Sequence, residues 1–71
     1  MLGRELRKAR EAAGLTQEQV AAKAKITREY VSHLERGQYS PTVDVLMRVC
    51  AAIGTHAWQM LRRVEERSNR E

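Results

Sequence analysis

The sequence predicts an all-α fold, a compact domain of five short helices, on three observations. Apolar residues recur at three- and four-residue spacings along most of the chain, and Thr and Gly residues interrupt that pattern at helix-length intervals. Aromatic residues are scarce: Phe is absent, and only Tyr30, Tyr39 and Trp58 supply rings. The core must therefore be aliphatic and rich in Ala, which favours closely packed helices over sheets. A chain of 71 residues has room for one modest core, so a two-domain enzyme is excluded.

Leu2, Leu6, Ala9 and Ala13 mark the apolar stripe of a first helix, with Arg4, Arg7, Lys8, Arg10 and Glu11 around it and Gly14 as its stop. Thr16 with Gln19 three residues later reads as a capping box opening a second helix through Ala24, which turns Val20, Ala21 and Ala24 inward. Lys25 and Ile26 form a short break. Thr27 caps a third helix that runs to Arg36 and stops at Gly37. Thr42 or Ser40 caps a fourth, preceded by Pro41, carrying Val43, Leu46, Val49, Cys50 and Ile53 and closed by Gly54. A fifth begins near His56, carries Ala57, Met60, Leu61 and Val64, and is expected to fray in the charged run from Glu65 to Glu71. The expected division is a domain over residues 1–66 and a charged tail over 67–71.

A formal charge of +4 on so small a domain suggests a polyanionic partner but does not identify one. Cys50 is the only cysteine, which rules out an intrachain disulfide and fits a reducing cytoplasm. Its apolar surroundings read as burial rather than reactivity. The start of the chain lacks the apolar stretch of a signal peptide, and no segment is apolar enough to span a bilayer. The expectation is a soluble, unprocessed cytoplasmic protein with no membrane role. His33 and His56 fall on different helices without a nucleophile or acidic cluster, so neither catalysis nor a metal or other cofactor is expected. Scattered aromatics provide no stacking platform for single-stranded RNA.

At about 100° per residue, Arg28, Glu29, Ser32, His33 and Arg36 cover an arc of roughly 140° on the third helix. Tyr30, Val31 and Leu34 take the opposite side. Any surface helix has a polar face, but this one holds groups that can read base edges. Arg pairs with guanine O6 and N7, Glu accepts from cytosine N4, and Ser adapts to either. A short turn and a second helix precede it, an arrangement that lets one helix cross the DNA backbone while the next enters the groove. The start of the second helix, Gln17 to Gln19, offers backbone amides to a phosphate.

The segments GLTQEQVAAKAKIT, VSHLERGQYSP and LMRVCAAIG resemble the phage Cro and repressor type of helix-turn-helix, the XRE family, over Arg4 to Leu61. Gly14, Leu15, Thr16, Gln17, Ala21, Val31, Glu35, Gly37, Pro41, Leu46 and Gly54 carry the resemblance together. It implies a lambda-repressor-like fold whose helix-turn-helix is formed by helices 2 and 3. It further implies that Arg28, Glu29, Ser32 and His33 face bases, and that Gln17, Arg36 and the segment Gln38, Tyr39, Ser40 to Thr42 lie along the DNA backbone. An ion pair between Arg10 and Glu35 is implied as well. Two positions depart from the family pattern: Lys25 stands in the turn where relatives usually carry Gly, and Trp58 where they often carry a polar residue.

The resulting expectation is a sequence-specific transcriptional regulator of double-stranded DNA, a repressor or small controller, acting as a homodimer on a partly palindromic operator. Trp58, Met60, Leu61 and Val64 are the expected dimer surface, since a single half-site is usually too little for specific binding. The alternative is an antitoxin or interaction module that uses the same fold, and chiefly the fifth helix, to engage a protein partner.

Overall fold

The computed structural model describes residues 1–70 as five helices: α1 (Leu2–Ala12), α2 (Gln17–Ala24), α3 (Arg28–Glu35), α4 (Val43–Ile53) and α5 (Ala57–Arg70). Local chemistry sets most of the boundaries. The Thr16 hydroxyl accepts from the Gln19 N–H at 3.1 Å, and the Gln19 side-chain carbonyl accepts from the Thr16 N–H at 2.8 Å. This reciprocal pair satisfies two amides that the start of a helix leaves without partners. Thr27 and Thr42 cap α3 and α4 by accepting from Tyr30 N–H and Val45 N–H. Gly54 ends α4 with φ of 96°, a left-handed conformation that side-chain-bearing residues resist.

The helices surround one aliphatic core of Leu6, Val20, Ala21, Ala24, Val31, Leu34, Leu46, Val49, Cys50 and Met60. Ala21 and Ala24 keep α2 thin, so it packs against both α3 and α4, while α5 closes over α1 and α4. Cys50 is fully buried, and burial pushes its thiol pKa up, away from the reactive thiolate. Among the described residues no helix is long and apolar enough to cross a membrane.

The structure departs from the sequence expectations at three places and shows how the unusual Lys25 is accommodated. Ala13 is exposed and caps α1 instead of completing its apolar stripe. Lys25 does take the left-handed conformation, φ 60° and ψ 45°, so the turn between α2 and α3 keeps its shape and the side chain bears the strain. The charged run beyond Glu65 is helical: α5 continues to Arg70, past the expected boundary at 66. Arg67 reaches back to form an ion pair with Glu5, whose side chain is only 4% exposed. Of the expected tail, Glu71 lies outside the described residues. Finally, Met60 is fully buried in the core and offers nothing to a partner.

Candidate nucleic-acid interface

Val31 and Leu34 anchor α3 to the core at 2% and 3% exposure, and Tyr30 is half-buried beside them. The opposite side of the helix is free. Arg28, Glu29 and Arg36 are exposed, and Ser32 and His33 are half-buried. The helical arc therefore gathers four of the expected base readers, Arg28, Glu29, Ser32 and His33, on one accessible face.

The base of this face is fixed by a polar junction under α3. Arg10 of α1 donates from Nε and Nη2 to the two carboxylate oxygens of Glu35 at 2.6 and 3.0 Å, and from Nη1 to the Leu15 carbonyl at 2.9 Å. The side chains are 11% and 5% exposed. Hydrogen bonding to Glu35 holds the Arg10 guanidinium pKa above its ordinary range, outweighing the opposing effect of burial. Gln17 donates to the same carboxylate at 3.1 Å. One carboxylate thus joins α1, the start of α2 and the end of α3. The approach of α1 to α3 is tight as well: a Cβ at Gly3 would collide with the Leu34 carbonyl oxygen and lie 2.7 Å from that of Glu35.

The residues expected along the DNA backbone are found in different states of engagement. Tyr39 and Ser40 are exposed on the loop between α3 and α4. The Thr42 hydroxyl accepts from Val45 N–H, which leaves its own hydrogen to donate. Arg36 is exposed, with Nε near the Ser32 carbonyl at 3.4 Å. At the start of α2, the Gln19 amide is taken by Thr16, while those of Gln17 and Glu18 have no partner among the described residues.

Sequence reasoning did not anticipate the surroundings of His33. Its Nδ1 meets the side-chain carbonyl of Gln38, and its ring lies 4.9 Å from that of Tyr39, centroid to centroid. Gln38 was expected on the DNA backbone only, and its proximity to His33 arises from the helix C-terminus. The chain reverses at Gly37, and the Gln38 N–H donates back to the His33 carbonyl at 3.0 Å.

A second surface differs in character. Val43 and Met47 of α4 and Trp58 and Leu61 of α5 are 73%, 58%, 60% and 48% exposed. Val43, Met47, Ala51 and Trp58 line one shallow groove between the two helices. Of the expected dimer residues, Trp58 and Leu61 lie on this face, Val64 is half-buried, and Met60 is inside. Val43 and Met47 were assigned to no surface role by their sequence pattern.

Residues 6–57 match the helix-turn-helix family model. An uncharacterized HTH-type transcriptional regulator of Sinorhizobium fredii is 33% identical over 66 residues, 93% of this chain and 86% of the relative. The restriction-modification controller protein C.AhdI of Aeromonas hydrophila superposes with a TM-score of 0.80 at 30% identity, covering 83% of this chain and 89% of that one. The clp gene regulator ClgR of C. glutamicum gives a TM-score of 0.81 at 33% identity over 84% and 78% of the two chains.

Proposed function

The chain belongs to the helix-turn-helix family of DNA-binding transcriptional regulators, and from that premise we propose that it reads an operator with α3 in the major groove, as a homodimer. The observation that carries this reading is the division of α3: Val31 and Leu34 hold the helix, and Arg28, Glu29, Ser32 and His33 are left to meet base edges. Arg28 stands in the first turn, where a recognition helix reaches deepest, and its fork of donors suits guanine O6 and N7. Gln17, Arg36, Gln38, Tyr39, Ser40 and Thr42 position the domain on phosphates and supply affinity without sequence information.

The dimer is proposed on the exposed apolar face of α4 and α5, centred on Trp58 and Leu61 with Val43 and Met47 in place of the buried Met60. A two-fold contact there sets the separation of the two α3 helices, and about 34 Å, one turn of DNA, is the spacing at which both enter the groove on one side of the duplex. Occlusion and recruitment follow from the same docking and differ in where the operator lies.

Selection of bound sequences from random duplex DNA at two salt concentrations tests the groove reading. The expected outcome is a partly palindromic site whose affinity falls steeply with salt, and Arg28→Ala should relax preference at one base pair. No enriched sequence, or an unchanged preference in Arg28→Ala, overturns the corresponding assignment. Sedimentation tests the dimer: identical monomer masses for wild type and Trp58→Ala at micromolar concentration overturn it. A co-purifying protein together with DNA affinity no better than nonspecific would instead assign the apolar face to an antitoxin-like partner contact.

A further inference from the structure

His33 is a base reader with two chemical identities. A neutral imidazole carries its proton on one ring nitrogen and presents a lone pair on the other, so its partner decides whether it offers the groove a donor or an acceptor. In this structure the side-chain carbonyl oxygen of Gln38 sits against Nδ1. A carbonyl only accepts, so this contact favours the proton on Nδ1. The Arg36 Nη2 lies 3.4 Å from the same nitrogen, at the edge of hydrogen-bonding reach, and is outcompeted by the nearer carbonyl.

The arrangement is held in place from three sides. The Gln38 N–H donates to the His33 carbonyl at 3.0 Å, which ties the two residues through the backbone independently of their side chains. Tyr39 covers the ring at a centroid distance of 4.9 Å, and Tyr30 backs Tyr39 at 5.9 Å. Nε2, by contrast, makes no hydrogen bond among the described residues and is not one of the buried unpartnered atoms. It is therefore open to solvent.

We propose that Gln38 is a specificity-positioning residue that locks His33 in its Nδ1–H form, so that Nε2 accepts from the exocyclic amino group of an adenine or a cytosine. Resting on the groove reading above, it adds the chemical class of base edge that this position selects. The NH2 of the Gln38 side chain stays free to donate to a phosphate. One amide then links backbone contact to base choice: seating the phosphate fixes Gln38, and Gln38 fixes the proton on His33.

Two readouts on the full chain test this. Nitrogen-15 NMR of the ring, recorded on the neutral imidazole at alkaline pH, should show the Nδ1–H tautomer in wild type and in Gln38→Glu, whose carboxylate is also a pure acceptor. Gln38→Met should release the Nε2–H tautomer. In duplex selection, the base pair whose preference is lost in His33→Ala should carry adenine or cytosine opposite His33. Gln38→Met should cut that preference about two- to tenfold, the value of one hydrogen bond. Gln38→Glu should keep it while weakening overall affinity through its charge. An Nε2–H tautomer in wild type, or an unchanged preference in Gln38→Met, overturns the lock alone. Absence of any enriched sequence overturns the groove reading and this assignment with it.

Discussion

Where α1, α2 and α3 meet, an Arg and a Glu are withdrawn from water, whereas at the outer edge of α4 and α5 a Trp, a Leu, a Met and a Val are left in it. The two regions invert the usual placement of side chains in opposite senses, and only one of them is compensated within the chain. The charges under α3 are tolerable because every part of the pair is engaged: both Glu35 oxygens accept from Arg10, Gln17 adds a third donor, and the remaining Arg10 nitrogen reaches a carbonyl. The apolar face has no such internal compensation. Its side chains stand exposed on two helices, and the proposed dimer is what would cover them. The junction thus serves the geometry of one domain, and the apolar edge is where the proposed dimer would join two.

Breaking the junction should have the largest effect. Arg10→Met leaves Glu35 buried without its partner and is expected to cost about 3 kcal/mol in urea unfolding. The double variant Arg10→Met with Glu35→Leu should recover much of that loss, and a double variant no better than the single would show that the pair is not the source. The raised guanidinium pKa means this contribution is complete below the ordinary Arg range and declines only as pH rises past it, so wild-type stability from the pair should be flat from pH 6 to 9. Next in size is Gly3→Ala. The added methyl strikes the Leu34 and Glu35 carbonyls and should cost about 2 kcal/mol, although Ala is the better helix former.

Lys25→Gly runs the other way. Removing the side chain from a left-handed residue should stabilise the fold by roughly 0.5 kcal/mol, the relief of strain being partly offset by a freer unfolded chain. Trp58→Ala sharpens the contrast between regions, since it should alter monomer unfolding by less than about 0.5 kcal/mol while abolishing the dimer in sedimentation. A large intramolecular loss would mean that Trp58 belongs to its own domain.

What the sequence made legible was local. Thr16 with Gln19, Thr27 and Thr42 announce helix starts because a hydroxyl three residues ahead of a free amide has one obvious use, and the split of α3 follows from helical period alone. The α5 stripe shows where that logic ends. Met60, Val64, Ala57, Leu61 and Trp58 fill one arc of roughly 160° by helical period, with Met60 at one rim and Trp58 at the other. Period gives the arc but not which rim faces inward. That depends on where α1 and α4 lie, and they leave Met60 inside and Trp58 out. Glu5 was equally illegible, because its partner Arg67 stands at the far end of the chain in a run that looks solvated. The engagement of His33 by Gln38 was hidden for a related reason: it depends on the direction the chain takes after Gly37.

The contacts of α1 make it a tie rod between α3 and α5, the helices of the two proposed surfaces. Near its start Gly3 lies flush against the end of α3 and Glu5 is clasped by Arg67 of α5; near its finish Arg10 grips Glu35. In the proposed dimer, α1 is the element placed to carry a tilt of α5 to α3. For a dimer on two half-sites this turns subunit packing into a ruler. One base pair inserted at the operator's centre moves the far half-site by about 3.4 Å and rotates it by roughly 35°, and the protein has no hinge within α1 with which to follow it.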